Sequence, residues 1–453
     1  ICACLVGSEM CIRDSNNMLY VYSGWYYILQ SRIAAIDVVL NKDEVQKQVL
    51  LDRFISSDEF LKYYVRQMTN FSQKAVGDYP SEIRRDFLNR ITAEQEYMEN
   101  NYAPKEEYKI VDSRALESVK LLYKNLKRIE GKNILFGHQD DLAYGNGWKY
   151  IPKASDVEKV TGQYPAVIGH DLGHIGNKNN IDSVPFDLIR RNIIDAYNMG
   201  AINTISWHMK DLVNGGEAWV EPQERTVNTV KEILPGAPYH ARLLQKLDLA
   251  ADFFHSLKGV DGKLIPVIFR PYHEHNGDWF WWGRRHCSND DYKHLFRFTV
   301  NYLINVRGVH NLLFAYSPNS VRDKKEYLER FPGESYVDII GFDNYQTRGK
   351  TSQQYIDDME RNLKILCDIS KSLDKISAVT ETGYECIPES KWWTNTLYKA
   401  ISQYPIVYVL CWRNGRPDHY YVPYPGQKSS ADFRAFCRLP GIQLLNKDLI
   451  LYE

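Results

Sequence analysis

Net charge is the first thing this chain lacks. Its 56 Lys and Arg against 57 Asp and Glu leave a net charge of −1, so it has no basic footprint for nucleic acid or an anionic membrane, and neutral partners are expected. Long apolar runs are missing as well: none approaches the roughly 18–20 residues of a membrane span. Cysteine is scarce and badly spaced. Three of the eight (Cys2, Cys4, Cys11) fall within the first fifteen residues, and Cys287, Cys367, Cys386, Cys411 and Cys437 are odd in number with no CxxC pair, which signals neither a disulfide framework nor a zinc site. The opening residues read as a poor secretory leader. The opening "ICACLVGSEMCIRDS" has a brief apolar run, no basic start and no small-residue cleavage site. Its "EMCIRDS" resembles the conceptual translation of a transposon-end sequencing adapter, so residues 1–15 are expected to be an artefact and are set aside, along with any export signal they replaced.

What the chain has is length, apolar content and aromatic rings. At 453 residues and 44% hydrophobic, it can bury one large core and carry an appendage. Aromatics reach 13%, with 10 Trp and 32 Tyr, an excess suited to flat apolar ligand faces such as sugar rings. Residues 16–108 read as a helical extension of unknown role, with capping boxes at Asn41/Glu44 and Ser56/Glu59 and no evident chemistry.

From residue 109 onward the pattern changes. Eight apolar or β-branched runs recur, each ending in polar and aromatic residues: "ILFGHQDD" from Ile134, "AVIGHDLG" from Ala166, "AINTISWH" from Ala201, "LIPVIFRPYHE" from Leu264, "NLLFAYSPN" from Asn311, "VDIIGFDNY" from Val337, "SAVTETGY" from Ser377 and "IVYVLCWRN" from Ile406. Helix-like stretches such as "DLIRRNIIDAYNMG", stopped by Gly200, and "SQQYIDDMERNLKILCDISKSL" lie between them. Continuous apolar strands alternating with amphipathic helices predict an α/β fold with a parallel sheet, and eight units predict a (β/α)8 TIM barrel over 109–453, with a doubly wound sheet as the runner-up. The polar clusters at strand ends favour the barrel, because barrel enzymes build their sites from the loops at that end.

Two carboxylates stand out within this frame. Glu274, in "RPYHEHNGDWFWWG", closes the fourth run, and Glu381, in "TETGYE", lies at the end of the seventh. A lone glutamate after an apolar strand is more often an ion-pair partner, but two across one barrel mouth can divide glycosidic cleavage: one protonates the leaving oxygen, the other attacks the sugar carbon or activates water.

The same segments, with "GFDNY", "CWRN" and the late "PYPG", resemble the glycoside hydrolase family 26 β-mannanases, from about Ser113 to the C-terminus. The resemblance implies a retaining hydrolase cleaving β-1,4-mannosidic linkages in mannan, galactomannan or glucomannan, with Glu274 as general acid/base and Glu381 as nucleophile, their carboxyls roughly 5–5.5 Å apart. It places His273 in the site and likens Tyr345 to a donor onto the nucleophile, with Asp343 beside it. Trp412 becomes an apolar floor for the sugar, Arg413 a donor to its hydroxyls and Trp279 a stacking surface on the leaving-group side, while Trp281 and Trp282 are assigned to packing. His208 is expected to contact the glycone, and His275 to be loop structure. His138, Gln139, Asp140, His170, Asp171 and Trp207 are all expected at the same rim.

No cofactor and no metal are expected. A monomer acting on β-mannan in a secreted, periplasmic or cell-surface setting is expected. The alternatives are a β-glucanase or xylanase on the same scaffold, a non-catalytic carbohydrate-binding barrel, or a metal-dependent hydrolase using His273 and His275 with Asp140 or Asp171. In that last reading the two histidines share one face of a continuing strand. The long insertion "DLVNGGEAWVEPQERTVNTVKEILPGAPYH" between the third and fourth runs is expected to shape one end of the cleft.

Overall fold

Eight parallel strands close into a ring in the computed structural model, which describes residues 109–220 and 228–452. The expectations for residues 1–15 and 16–108 lie outside the described residues, as does part of the insertion before the fourth strand. The ring comprises β1 (Ile134–Gln139), β2 (Val167–Asp171), β3 (Ile202–Trp207), β4 (Val267–Pro271), β5 (Leu312–Tyr316), β6 (Ile339–Gln346), β7 (Ile376–Tyr384) and β8 (Tyr408–Cys411). Each pairs with the next, and β8 returns to β1 with Leu135 opposite Tyr408 and Phe136 opposite Val409. Closure rules out the doubly wound alternative, and every apolar run read from the sequence coincides with one strand to within a few residues. A short β9 (Ile442–Gln443) pairs with the first two residues of β1.

Alternation along each strand sorts side chains into two cores. Leu135, Val167, Ile202, Ile268, Leu313, Ile339, Ile376 and Tyr408 point inward and share one cluster with Val119, Leu122, Tyr123 and Leu126 of helix α1 (Glu117–Ile129). That helix plugs the end where the strands begin: just ahead of it, the backbone N–H of Leu116 donates to His310 and that of Val111 to Asp338. The opposite faces meet the outer helices, which include α2 (Asp156–Thr161), α3 (Phe186–Asn198), α4 (His240–Ser256), α5 (Asn289–Asn301), α6 (Ser352–Leu373) and α7 (Ser430–Phe436). Both strand faces are therefore buried, which is why the strands read as unbroken apolar runs. Gly200, at φ +93°, follows α3 as expected, and a Thr351/Gln354 capping box opens α6.

Near the barrel mouth β7 is out of register with both of its neighbours. Against β6, Phe342 lies opposite Val379 but Asp343 opposite Glu381, so Thr380 is an extra residue; against β8, Val409 lies opposite Val379 but Cys411 opposite Thr382. Such a bulge re-aims the side chains around it. Thr380 turns inward to donate to Asp343 (2.6 Å), and Glu381 also faces the interior. Gly341 makes room, since a Cβ there would lie 2.5 Å from Thr380 Cγ2. Gly341→Ala is expected to lower stability by about 1–3 kcal/mol through overpacking, checked by urea unfolding of the two proteins.

Candidate active site

β4 carries one charged residue into the barrel. Arg270 is an inward neighbour of Ile268 and is 3% exposed; its guanidinium donates to Ser317 Oγ (3.0 Å), to Asp343 Oδ2 (3.0 Å) and to Glu381 Oε1. Beyond Pro271 the strand stops. Tyr272 and Glu274 both adopt left-handed backbone, at φ +53° and +51°, a conformation costing on the order of 1–3 kcal/mol for a residue with a side chain. The result is a zigzag. Tyr272 turns outward, its hydroxyl 2.9 Å from Thr299 on α5, while His273 turns inward with Nε2 3.9 Å from Glu381. Glu274 enters the cleft, and His275 turns outward between the rings of Tyr292 (4.4 Å) and Tyr316 (4.8 Å). The two histidines therefore do not share a face, contrary to the continuing strand assumed for a zinc pair.

The two glutamates sit in unlike surroundings. Glu274 Oε1 accepts from the Asn319 amide (3.0 Å) and Oε2 from the Trp279 indole N–H (2.8 Å), both neutral donors. Although the residue is half-buried, the enclosed cleft withholds water from its carboxyl. That desolvation, with the nearby Glu381 charge, raises its pKa to about 7 against the pull of Asn319, Trp279 and Arg270. Glu381 is 4% exposed and receives Arg270 on one oxygen and the Tyr345 hydroxyl on the other (2.7 Å). Burial and the adjacent carboxylate hold the Tyr345 phenol well above its usual range, so it stays a donor. Burial likewise raises Asp343 well above an ordinary carboxylate, opposed by Arg270.

The other predicted residues extend the same wall. His208, just past β3, bonds Asp171 Oδ2 through Nδ1 (2.7 Å), meets His273 edge-on with ring centroids 4.6 Å apart, and approaches Trp412 at 6.1 Å. Burial disfavours the His208 cation, but Asp171, with Glu381 and Asp182 behind it, outweighs that and raises the pKa. Trp219, 49% exposed, stacks parallel on His208 at 5.0 Å. Trp412 continues β8, its N–H donating to Thr382 (3.0 Å). Arg413 pairs with Asp182 (3.0 Å), beside a buried Asp140 that burial and Asp182 push up to about 8. Trp281 and Trp282 are fully buried, their indoles donating to Met209 O and His273 O.

The rim expectation needs correcting for three residues. His170 bonds Asn203, which in turn donates to Ile193 on α3, so its ring faces the helix layer. Trp207 packs at 6.0 Å from Phe269 in that same outer core. His138 shares the outward parity of Phe136 and bonds Asp141 (2.7 Å). Consecutive residues of a strand cannot both face inward. Sequence reading also passed over Arg270 and Asn319. The first was visible as a lone cation in an apolar strand, the second as the polar end of the fifth run.

Ligand atoms of His273, Asp343 and Glu381 lie within 4.8 Å of one another, a spacing that suits a metal ion. The Arg270 guanidinium already bridges the two carboxylates of that group, supplying the positive charge an ion would bring.

The model for glycosyl hydrolase family 26 matches residues 111–414. The chain is 33% identical to a mannan endo-1,4-beta-mannosidase of Bifidobacterium adolescentis across 76% of this chain, and it spans only 36% of that protein's length. It is 29% identical to a mannan endo-1,4-beta-mannosidase of Bacillus subtilis, covering 58% of this chain and 70% of that one. Among solved structures it resembles a family 26 beta-mannanase from Bacteroides ovatus with a TM-score of 0.71 and 44% identity, covering 75% of this chain and 98% of that one.

Because the Asn319 bond favours the ionised form of Glu274, Asn319→Ala is expected to move the carboxyl titration to a pH above that of the parent, read by carbon-13 NMR of labelled glutamate.

Proposed function

The chain belongs to glycosyl hydrolase family 26, and from that premise we propose that it cleaves β-1,4-mannosidic bonds in mannan, galactomannan or glucomannan with retention of anomeric configuration. The observation that carries this is the unequal setting of the two glutamates. One carboxyl, pushed up to about 7, holds a proton near neutrality; the other is gripped by a guanidinium and a phenol. Such separation supports reading Glu274 as the acid and Glu381 as the nucleophile.

In the first step Glu274 gives its proton to the glycosidic oxygen as that oxygen leaves, while Glu381 attacks the anomeric carbon and forms a glycosyl ester. In the second, Glu274, now ionised, takes a proton from water; the water oxygen bonds the anomeric carbon and Glu381 departs as carboxylate. Two inversions give net retention. Arg270 and Tyr345 hold Glu381 so that one oxygen addresses the sugar, a positioning effect that converts binding into rate. His208, His273, Trp412 and Arg413 are read as the glycone wall, and Trp279 as the leaving-group side, where its indole N–H also steadies Glu274. Mannan as substrate rests on the names of the relatives; glucan and xylan are the competing outcomes of product analysis. A polymeric substrate implies action outside the cytoplasm, secreted, periplasmic or cell-surface, and among the described residues no helix is long and apolar enough to cross a membrane.

Hydrolysis of manno-oligosaccharides followed by proton NMR is expected to show the β-anomer of the new reducing end first, with the α-anomer arising only by mutarotation; α first would refute the scheme. Glu381→Ala is expected to abolish turnover, and Glu274→Ala to cost about 10²–10⁴-fold on mannan. Since the proton on Glu274 is needed and its pKa is about 7, kcat/KM is expected to fall as pH rises through that value, and this limb to be missing in Glu274→Ala.

A further inference from the structure

A second guanidinium, outside the cleft, takes no part in the two displacement steps. Arg330 follows the short helix Lys324–Leu328 and is 1% exposed. Among the described residues it has no carboxylate within ion-pair distance. Its Nη1 donates to the carbonyls of His275 and Trp282 (3.1 Å to the latter), and its Nη2 to the carbonyls of Cys287 (3.0 Å) and Ser288 (3.2 Å) and to Cys287 Sγ (2.8 Å). The guanidinium carbon lies 4.7 Å from the centre of the Tyr292 ring, the same ring that His275 packs against. A buried cation without a counter-ion is strongly disfavoured unless its donors are well used. Here four carbonyls take the place of water.

Those carbonyls are not scattered. His275 directly follows Glu274, whereas Trp282, Cys287 and Ser288 lie at the far end of the same loop. Arg330 therefore ties the residue after the acid to the point where the loop returns to α5. Between the tied points lies Trp279, whose indole N–H donates to Glu274. The left-handed backbone at Tyr272 and Glu274 persists only if the surroundings hold it: the Glu274 N–H donates to the Ser317 carbonyl (2.8 Å) and its carbonyl accepts from Gly277 (2.9 Å), and Arg330 adds a hold on the next carbonyl, that of His275. Lysine could not do the same, because a single ammonium lacks the planar fork that reaches both loop ends at once.

We propose that Arg330 is a positioning residue for the reaction: by clamping both ends of the 275–288 loop it holds Glu274 in line with the leaving oxygen. This rests on Glu274 being the general acid. A residue that merely stabilises the fold would affect all substrates alike, whereas one acting through the acid spares substrates that need no acid. The test compares Arg330→Lys, Arg330→Met and Glu274→Ala on a manno-oligosaccharide and on a 2,4-dinitrophenyl β-mannobioside, whose leaving group departs without protonation. Single-turnover release is measured well below each variant's unfolding temperature.

The expected result for Arg330→Lys is a loss of about 10²-fold on the oligosaccharide, the scale of a misplaced group, with the aryl substrate affected at least about tenfold less. The basic limb of its kcat/KM profile is also expected to move away from the parent's. Equal losses on the two substrates, or no loss on either, would overturn the proposal. Arg330→Met repeats the measurement without the charge; should it fail to fold, Arg330→Lys decides alone. Glu274→Ala separates the two possible failures. If it loses both substrates equally, the acid assignment falls and this proposal with it; if it shows the split and the Arg330 variants do not, only the clamp is refuted.

Discussion

The barrel mouth is organised around a single buried charge, that of Arg270. Its guanidinium lies between Asp343 and Glu381, with Ser317 taking a further donor. Two carboxylates buried this deeply and this close together would be strongly disfavoured without it, since a lone buried charge faces a desolvation penalty of several kcal/mol. With Arg270 in place, the β7 bulge can present Glu381 to the interior, and Thr380 and Tyr345 can use their hydroxyls to fix carboxylate geometry. Removing the cation would leave those bonds without their electrostatic reason.

The contrast between the two glutamates follows from that arrangement. Glu381 lies on a strand, is locked by two donors and is nearly inaccessible. Glu274 lies three residues beyond its strand, on left-handed backbone, and its donors are neutral. Whatever favours an ionised Glu381 also makes ionisation of Glu274 harder, so the two environments are coupled. A pKa near 7 on one member of such a pair is what division into acid and nucleophile requires.

Much of this was legible in the chain. Eight apolar runs with polar ends predict a closed barrel, and α6 occupies the same residues, Ser352–Leu373, as the stretch singled out for it. Glu274, Glu381, Tyr345, His273, His208 and Trp412 could be grouped by strand-end position alone. The orientation of neighbours was not legible. His138, His170 and Trp207 sit beside inward-facing residues yet face the helices, because a strand sends alternate side chains to opposite sides. His273 and His275 look equivalent as letters two apart, and it is the left-handed turns at Tyr272 and Glu274 that send one to the cleft and the other into a stack of tyrosines.

The sequence by itself determined the class of fold and singled out the two carboxylates proposed to react, because periodicity and strand-end chemistry are local properties that survive in a linear string. Only the tertiary structure decided what each carboxylate experiences. Glu274 feels Asn319 from the loop after β5 and the charge of Glu381 from β7; Glu381 feels Arg270 from β4 and Tyr345 from β6; and Arg330 grips a loop whose ends lie more than forty residues before it. Electric fields and hydrogen bonds act through space over a few ångströms, and residues that distant in the chain become neighbours only when the barrel closes.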